Sequence, residues 1–324
     1  MVPVLIGVTF LTFAIANIIP GDPARLHAGP NASAETVQKM REKLGLNDPV
    51  FIRYFRYLKR LFQGDLGTSI RTKKPVLDEL LTRFPATFEL TIAALFISIS
   101  GGIVLGTLSA IRQGTLLDHG SRLLALSGVA VPSFWLGILL QFAFFFKLGL
   151  LPSSGRLGQF ISPPARLTGM YIFDGLVRGN FIVLRSALTH LILPGITLSL
   201  GTLALVSRTV RSSVLDVVSQ DYIRTARSKG LRELIVVFKH VLRNALIPVV
   251  TMSGMTLAAL LGGTVLIETV FTWPGMGLFI VDSIFAMDFP AITGFTILVA
   301  AVVQIMNLIV DISYAFLDPR IRYN

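Results

Sequence analysis

Little in this chain is equipped for catalysis. Its 324 residues include no cysteine, which removes thiolate nucleophiles, disulfides and Cys-ligated metals. The four histidines, His27, His119, His190 and His240, are scattered without metal-ligand spacing. Intramembrane hydrolysis would need a catalytic pair, but Asp311 has no evident Asp partner at matching depth and His190 no evident serine nucleophile. No Gly-x-x-x-x-Gly-Lys-Ser/Thr run is present, so the chain does not itself supply ATP chemistry. What remains is a set of polar side chains in apolar surroundings: Glu89, Gln141, Lys147, Glu268, Gln304, Asn307 and Asp311. In lipid such groups mark transport routes or interhelical hydrogen bonds. Glu89, Lys147 and Glu268 fall near span ends, where they are expected to reach the interface. Gln304, Asn307 and Asp311 share one helical face, and none of the set is assigned to a substrate.

Hydrophobic residues make up 53% of the chain and charged residues 15%, against about a quarter charged in an average soluble domain. Mean hydropathy is +0.72. The chain is therefore read as an all-α integral membrane protein, because the apolar runs are long and lack the alternation of barrel strands. Val2–Ile19 is the first expected span, within residues 1–19. It also contains Ala14-Ile15-Ala16, a small-x-small form seen at signal cleavage sites, but no Lys or Arg precedes it. Residues 20–85 form a polar excursion, read as an external subdomain. Residues 86–324 form the core, with spans expected at 86–111, 123–146, 191–206, 245–271 and 291–316. Gly101, Gly102, Gly106, Gly254, Gly262 and Gly263 suit close helix packing.

About six spans put both termini on one side. The loop with Arg112 and Arg122, the loop 207–244 and the tail with Arg320 and Arg322 share that side, which the positive-inside rule makes the cytoplasm. The same loops account for the net charge of +11 without nucleic acid.

The stretch Ser219–Pro248 reads as two helices joined at a glycine. Ser219 is the expected N-cap of a helix through Lys229, and Gly230 the residue just past its end. Tyr222, Ile223 and Ala226 fall on one face, with Arg224 and Arg227 beside it. After the glycine, Leu231, Leu234, Ile235, Phe238, Val241 and Leu242 recur at helical spacing, opposite Arg232, Glu233, Lys239 and Arg243. Two readings are open: a short helix projecting into a groove of another protein, or a helix resting on anionic lipid.

This stretch resembles the coupling motif of ABC-importer permeases, which carries a Glu-Ala-Ala triplet, a glycine four residues past the last alanine and a downstream Leu-Pro. Ala226 and Gly230 match the last alanine and the glycine, whereas Arg224 and Thr225 replace the first two residues and the proline arrives at Ile247-Pro248. Asp221 to Gly230 and Leu242 to Pro248 follow the form of the dipeptide, oligopeptide and nickel branch, Asp-Tyr-x-Arg-Thr-Ala-Arg-x-Lys-Gly then Leu-Arg-Asn-Ala-Leu-Ile-Pro. Ile19-Pro20-Gly21-Asp22-Pro23, Pro132-Ser133-Phe134, Gly262-Gly263 through Gly277, and Asn307 to Arg320 resemble the same branch in order, so the likeness spans the chain.

The resemblance implies a type I importer permease fold in an inner membrane and a non-enzymatic subunit of an ATP-driven importer. Its implied partners are a second homologous permease in a heterodimer, two ATP-binding subunits that hold ATP and magnesium, an extracytoplasmic substrate-binding protein and membrane lipid. It implies a cargo of di- or oligopeptides, with nickel or glutathione as other cargoes of the branch. It also implies that Asp221, Tyr222, Ile223, Arg224, Thr225, Ala226, Arg227 and Gly230 couple to an ATPase, with Tyr222, Ile223 and Ala226 as the apolar plug. The alternative is a stand-alone secondary transporter, which would show an inverted repeat with broken helices.

Overall fold

The computed structural model describes residues 2–18, 23–29, 32–43 and 45–317. Among them the only pairing outside helices is an isolated bridge between Thr68 and Pro75. Helices run in the order α1 (Val2–Ile18), α2 (Pro23–Ala28), α3 (Ala34–Lys43), α4 (Val50–Phe62), α5 (Val76–Ile111), α6 (Leu116–Ala130) and α7 (Ser133–Leu140). The last of these continues as a π-helix, Gln141–Lys147. Then come α8 (Tyr171–Val177), α9 (Phe181–Val218), α10 (Asp221–Ser228), α11 (Glu233–Ile235) with its π continuation Val236–Val241, α12 (Leu242–Ala245), α13 (Ile247–Val270), α14 (Met276–Phe285) and α15 (Phe289–Leu317).

Four of these are long and apolar enough to cross a bilayer: α5, α9, α13 and Phe289–Ile309 of α15. A fifth results if α6 and α7 with its π extension count as one span, bent by 111°. The 17 residues of α1 sit at the short end of span lengths of about 17–25. Four or five of the six expected spans are thus matched among the described residues, with altered ends. The second span begins at Val76 and carries Pro85 inside it. The third is broken where Pro132 cannot donate a backbone hydrogen bond. The fourth does not stop at Val206 but runs to Val218, so residues 207–218 of the expected loop are helical. The cause is visible in Val206, Val210 and Val214, a buried stripe one turn apart that carries the helix past its first arginines.

The chain divides into two compact units. The described residues between 2 and 84, with 276–304, form one, which groups the described part of the expected excursion up to residue 84 with α1, α14 and part of α15. Its core joins Val76, Leu80, Met276, Phe279 and Ala291. Buried Asp288 accepts from the Ser69 hydroxyl at 2.5 Å and the Arg71 amide at 3.1 Å, and its other oxygen takes the Ala291 amide at the start of α15.

The other unit, 85–275 and 305–317 among described residues, has two apolar cores. One surrounds Trp273, whose indole donates to the Ala86 carbonyl at 2.9 Å. Inside it, Thr91, Ser98 and Thr197 turn their hydroxyls back onto carbonyls one turn earlier, which satisfies them without water. The Ser98 hydroxyl also lies 3.1 Å from the Ser199 carbonyl and links α5 to α9. The close approach of these two helices depends on glycine. A β-carbon at Gly102 would lie 2.6 Å from Val206, and one at Gly106 would lie 2.5 Å from the Ser207 carbonyl oxygen. Gly262 differs from expectation: it faces open space, and Gly263 meets only Leu198 at 3.6 Å.

Gly106→Leu is therefore expected to force α5 and α9 apart and cost about 1–3 kcal/mol or more. Gly262→Ala should leave stability unchanged or raise it by up to about 1 kcal/mol. Thermal midpoints of the purified protein check this, and equal midpoints for the two variants would contradict the packing argument.

Candidate functional site

The basic stretch after α9 folds as a hairpin. α9 is capped at its C-terminus by Ser219, whose hydroxyl donates to the Asp216 carbonyl at 2.8 Å. The N-cap of α10 is Gln220 rather than the expected Ser219, with extended backbone and no side-chain cap. Asp221 in the first turn and Arg227 in the last complement the helix dipole. At the far end Gly230 takes φ +72°, as expected of a residue just past a helix, and donates its amide to the Arg227 carbonyl at 2.9 Å. The chain then reverses into α11 and its π continuation.

Two side-chain links brace the reversal. Arg227 donates to both carboxylate oxygens of Glu233, at 2.7 and 3.2 Å. These bonds hold the Glu233 carboxyl below its usual range and raise the Arg227 guanidinium above its own. Asn244 donates to the Tyr222 hydroxyl at 2.8 Å. Beneath them, Ile223 is fully buried and Ala226 is 8% exposed, packed in one core with Val210, Val214, Val236, Val237, Val241, Leu242 and Ala245.

That burial covers two of the three residues expected to form the plug. Ile223 and Ala226 face the chain's own interior, and of the three only Tyr222 is reachable, with its hydroxyl engaged by Asn244. The side chains turned outward are those of Asp221 (97% exposed) and Arg224 (82%), which lie 3.9 Å apart in a weak surface pair. Thr225 and Lys229 are exposed beside them. A short amphipathic helix must cover its apolar face, and the turn at Gly230 brings the valines of the following helix to do so.

The second helix also departs from the expected register. Val241 and Leu242 are buried as expected, but Val236 and Val237 join them, while Leu234 and Phe238 stand 72% and 68% exposed. The π segment Val236–Val241 is the reason. Each extra residue in a π turn shifts the faces that a 3.6-residue count assigns. Arg232, Glu233, Lys239 and Arg243 are exposed, as their spacing indicated.

The polar groups at membrane depth do not gather into one site. Glu89 is buried and pairs with the Arg156 guanidinium, instead of reaching the interface as expected. Its other oxygen accepts the Ile172 amide at 2.7 Å, while Arg156 lies 3.6 Å above the Tyr171 ring. Glu268 is likewise buried and accepts from the Thr87 hydroxyl at 2.6 Å. Lys147 is exposed at its helix end, its ammonium 5.6 Å from the Phe142 ring centre. Gln141 donates to the Ser153 and Val270 carbonyls. Gln304 and Asn307 are half-buried; the side chain of Asp311, the segment 19–22 and the tail 318–324 lie outside the described residues. Among those described, no His, Asp and Glu grouping could hold a metal.

Sequence reasoning missed Asn244 and Arg156, since neither the hairpin's far bond nor a partner within a Gly- and Pro-rich segment leaves a periodic signal. It also missed Asp118, which is buried where α5, α6 and α9 meet and accepts from the Ser109 hydroxyl at 2.6 Å and from Arg211 at 2.9 and 3.1 Å.

Residues 102–323 match the family described as binding-protein-dependent transport system inner membrane component, and residues 1–91 match that family's N-terminal region. The chain is 48% identical to the probable D,D-dipeptide transport system permease protein DdpB of Escherichia coli (strain K12), over 99% of this chain and 94% of that one. It is 43% identical to the dipeptide transport system permease protein DppB of Alkalihalophilus pseudofirmus, over 100% and 97%. Its fold is similar to that of a chain of the MetNI methionine ABC transporter in inward-facing conformations, with a TM-score of 0.50 and 18% identity over 70% of this chain and 90% of the other. With both family regions matched in order and all-helical spans to hold them, the chain belongs to the inner membrane components of binding-protein-dependent transport systems.

Proposed function

We propose that this chain forms half of the pathway of an ATP-driven importer for short peptides, and that the α10–α12 hairpin is where ATPase motion enters it. The other half is a second, homologous permease. Two ATP-binding subunits, holding ATP and magnesium, lie under the pair on the cytoplasmic side, where both termini also lie. An extracytoplasmic binding protein delivers cargo. Support for a dipeptide cargo comes from the relatives, named for D,D-dipeptides and dipeptides. Membership of this family argues against a stand-alone secondary transporter, since its members work with a binding protein.

The observation that carries the coupling role is the bracing of the hairpin. α10 is tied forward to Glu233 and Asn244 and is packed through Ile223 and Ala226 onto the end of α9. A push on Asp221, Arg224 or Thr225 is therefore delivered to α9 and α13 instead of being absorbed locally. Such a two-state lever is what coupling between distant sites requires. The exposed charges set orientation and partner choice more than affinity. Of the residues expected to couple, Asp221, Arg224, Thr225 and the solvent edge of Tyr222 make the contact. Ile223, Ala226, Arg227 and Gly230 hold the shape.

Single cysteines in the assembled transporter test this. Those at Asp221 and Arg224 should crosslink to an ATPase subunit, and those at Ile223 and Ala226 should not. Labelling with a membrane-impermeant thiol reagent should reach the first pair only from the cytoplasmic side. Crosslinks at Ala226 as strong as at Arg224 would reverse the assignment of faces. Silence at every exposed position in an intact complex would favour a helix resting on lipid.

A further inference from the structure

A pocket of about 520 Å³ opens between α6 and the last third of α9. One wall is apolar, built from Leu126, Val129 and Leu205, and the rim carries Arg122, Arg208 and Arg211. The three guanidiniums are not equally committed. Arg211 is held by two bonds to Asp118, and Arg122 lies 3.7 Å from the same carboxylate. Asp216 is the other acid at the rim. Arg208 is exposed and makes no ion pair with any described residue. Three cations thus face two carboxylates, and one of those two is already shared.

The occupant must satisfy both walls. A small inorganic anion would engage the arginines but leave the apolar wall in water. An apolar molecule would leave Arg208 unanswered. The apolar wall runs on into an exposed apolar stripe of α6, Leu123, Leu126 and Val129, long enough to take an acyl chain. Arg208 is the first charged residue after the apolar stretch 191–206 of α9, and a span ending there would place it among lipid headgroups. We propose that this pocket binds an anionic phospholipid, with its phosphate on Arg208 and Arg122 and an acyl chain along Leu126, Val129 and Leu205. Basic pockets between helices at a membrane face recognise such headgroups. The bound lipid clamps α6 to α9, and Asp118 keeps Arg211 and Arg122 set for it. The assignment holds for either leaflet and does not depend on the cargo.

The test uses the assembled transporter in nanodiscs of phosphatidylcholine mixed with phosphatidylglycerol, stripped gradually in detergent and read by native mass spectrometry. Phosphatidylglycerol should be retained over phosphatidylcholine. Arg208→Gln and Arg122→Gln should each lower that retention about fivefold. Arg208→Lys, which keeps the charge, should retain it, and Leu126→Ser should lower it. Added inorganic phosphate should not displace the lipid. Equal retention of the two lipids, or unchanged retention in Arg208→Gln, would overturn the site. Displacement by inorganic phosphate, with Leu126→Ser silent, would make it a small-anion site instead and overturn the lipid assignment.

Discussion

Glu89→Leu is expected to destabilise the protein by about 3–5 kcal/mol, because it strands a buried guanidinium. Arg156 is 7% exposed and Glu89 6%, so water cannot replace the lost carboxylate. The damage would not stay in α5. Glu89 also receives the Ile172 amide, and Arg156 also donates to the Gly169 carbonyl and lies over Tyr171. The pair therefore pins the segment after the third span, and losing it should loosen residues 156–172 before the helices part. The asymmetry of buried ion pairs supplies the control. Removing both charges, as Glu89→Leu with Arg156→Met, should recover most of the loss, since an apolar pair of similar volume is often neutral or better. Thermal midpoints of the single and double variants are the measurement. A single variant as stable as the parent, or a double variant no better than the single, would refute the account.

Gly230→Val should uncouple. Gly230 holds φ +72°, a conformation that costs an L-residue roughly 1–2 kcal/mol and a β-branched one more. A β-carbon there meets nothing within 4 Å, so the variant can fold and insert. The strain is relieved by opening the turn, which separates Arg227 from Glu233 and frees α10 from its bracing. One or two kcal/mol corresponds to roughly a 5–30-fold shift between braced and open hairpins. Peptide uptake in proteoliposomes should fall by up to that factor while ATP hydrolysis continues. Gly230→Asn, which tolerates the left-handed region, should keep most of its uptake. Full uptake in the Val variant, or an Asn variant as impaired as Val, would sink the lever.

Much of this was legible without coordinates. The order of apolar runs gave the helical membrane fold, and Ala226, Gly230 and Pro248 marked the hairpin. Three things were not legible, each for a physical reason. Helix ends were misplaced where polar residues begin: a helix needs internal hydrogen bonds rather than apolar side chains, and the stripe Val206, Val210, Val214 sustains α9 through Arg208 and Arg211. In the hairpin's second helix the outward face differs because a 3.6-residue count assumes an α-helix, and Val236–Val241 is not one; in α10 the spacing shows an apolar face but not that the chain's own valines cover it. The burial of Glu89 leaves no local signal, because its partner lies 67 residues away in a segment without periodicity.

The inward turn of Ile223 and Ala226 also bears on how such a machine is put together. A helix whose greasy side waited for another polypeptide would have to be shielded between synthesis and docking. Here the chain shields it alone, and what it offers at the membrane surface is mostly charge. The helix can thus fold with its own chain, and nothing has to dock for its apolar face to be covered.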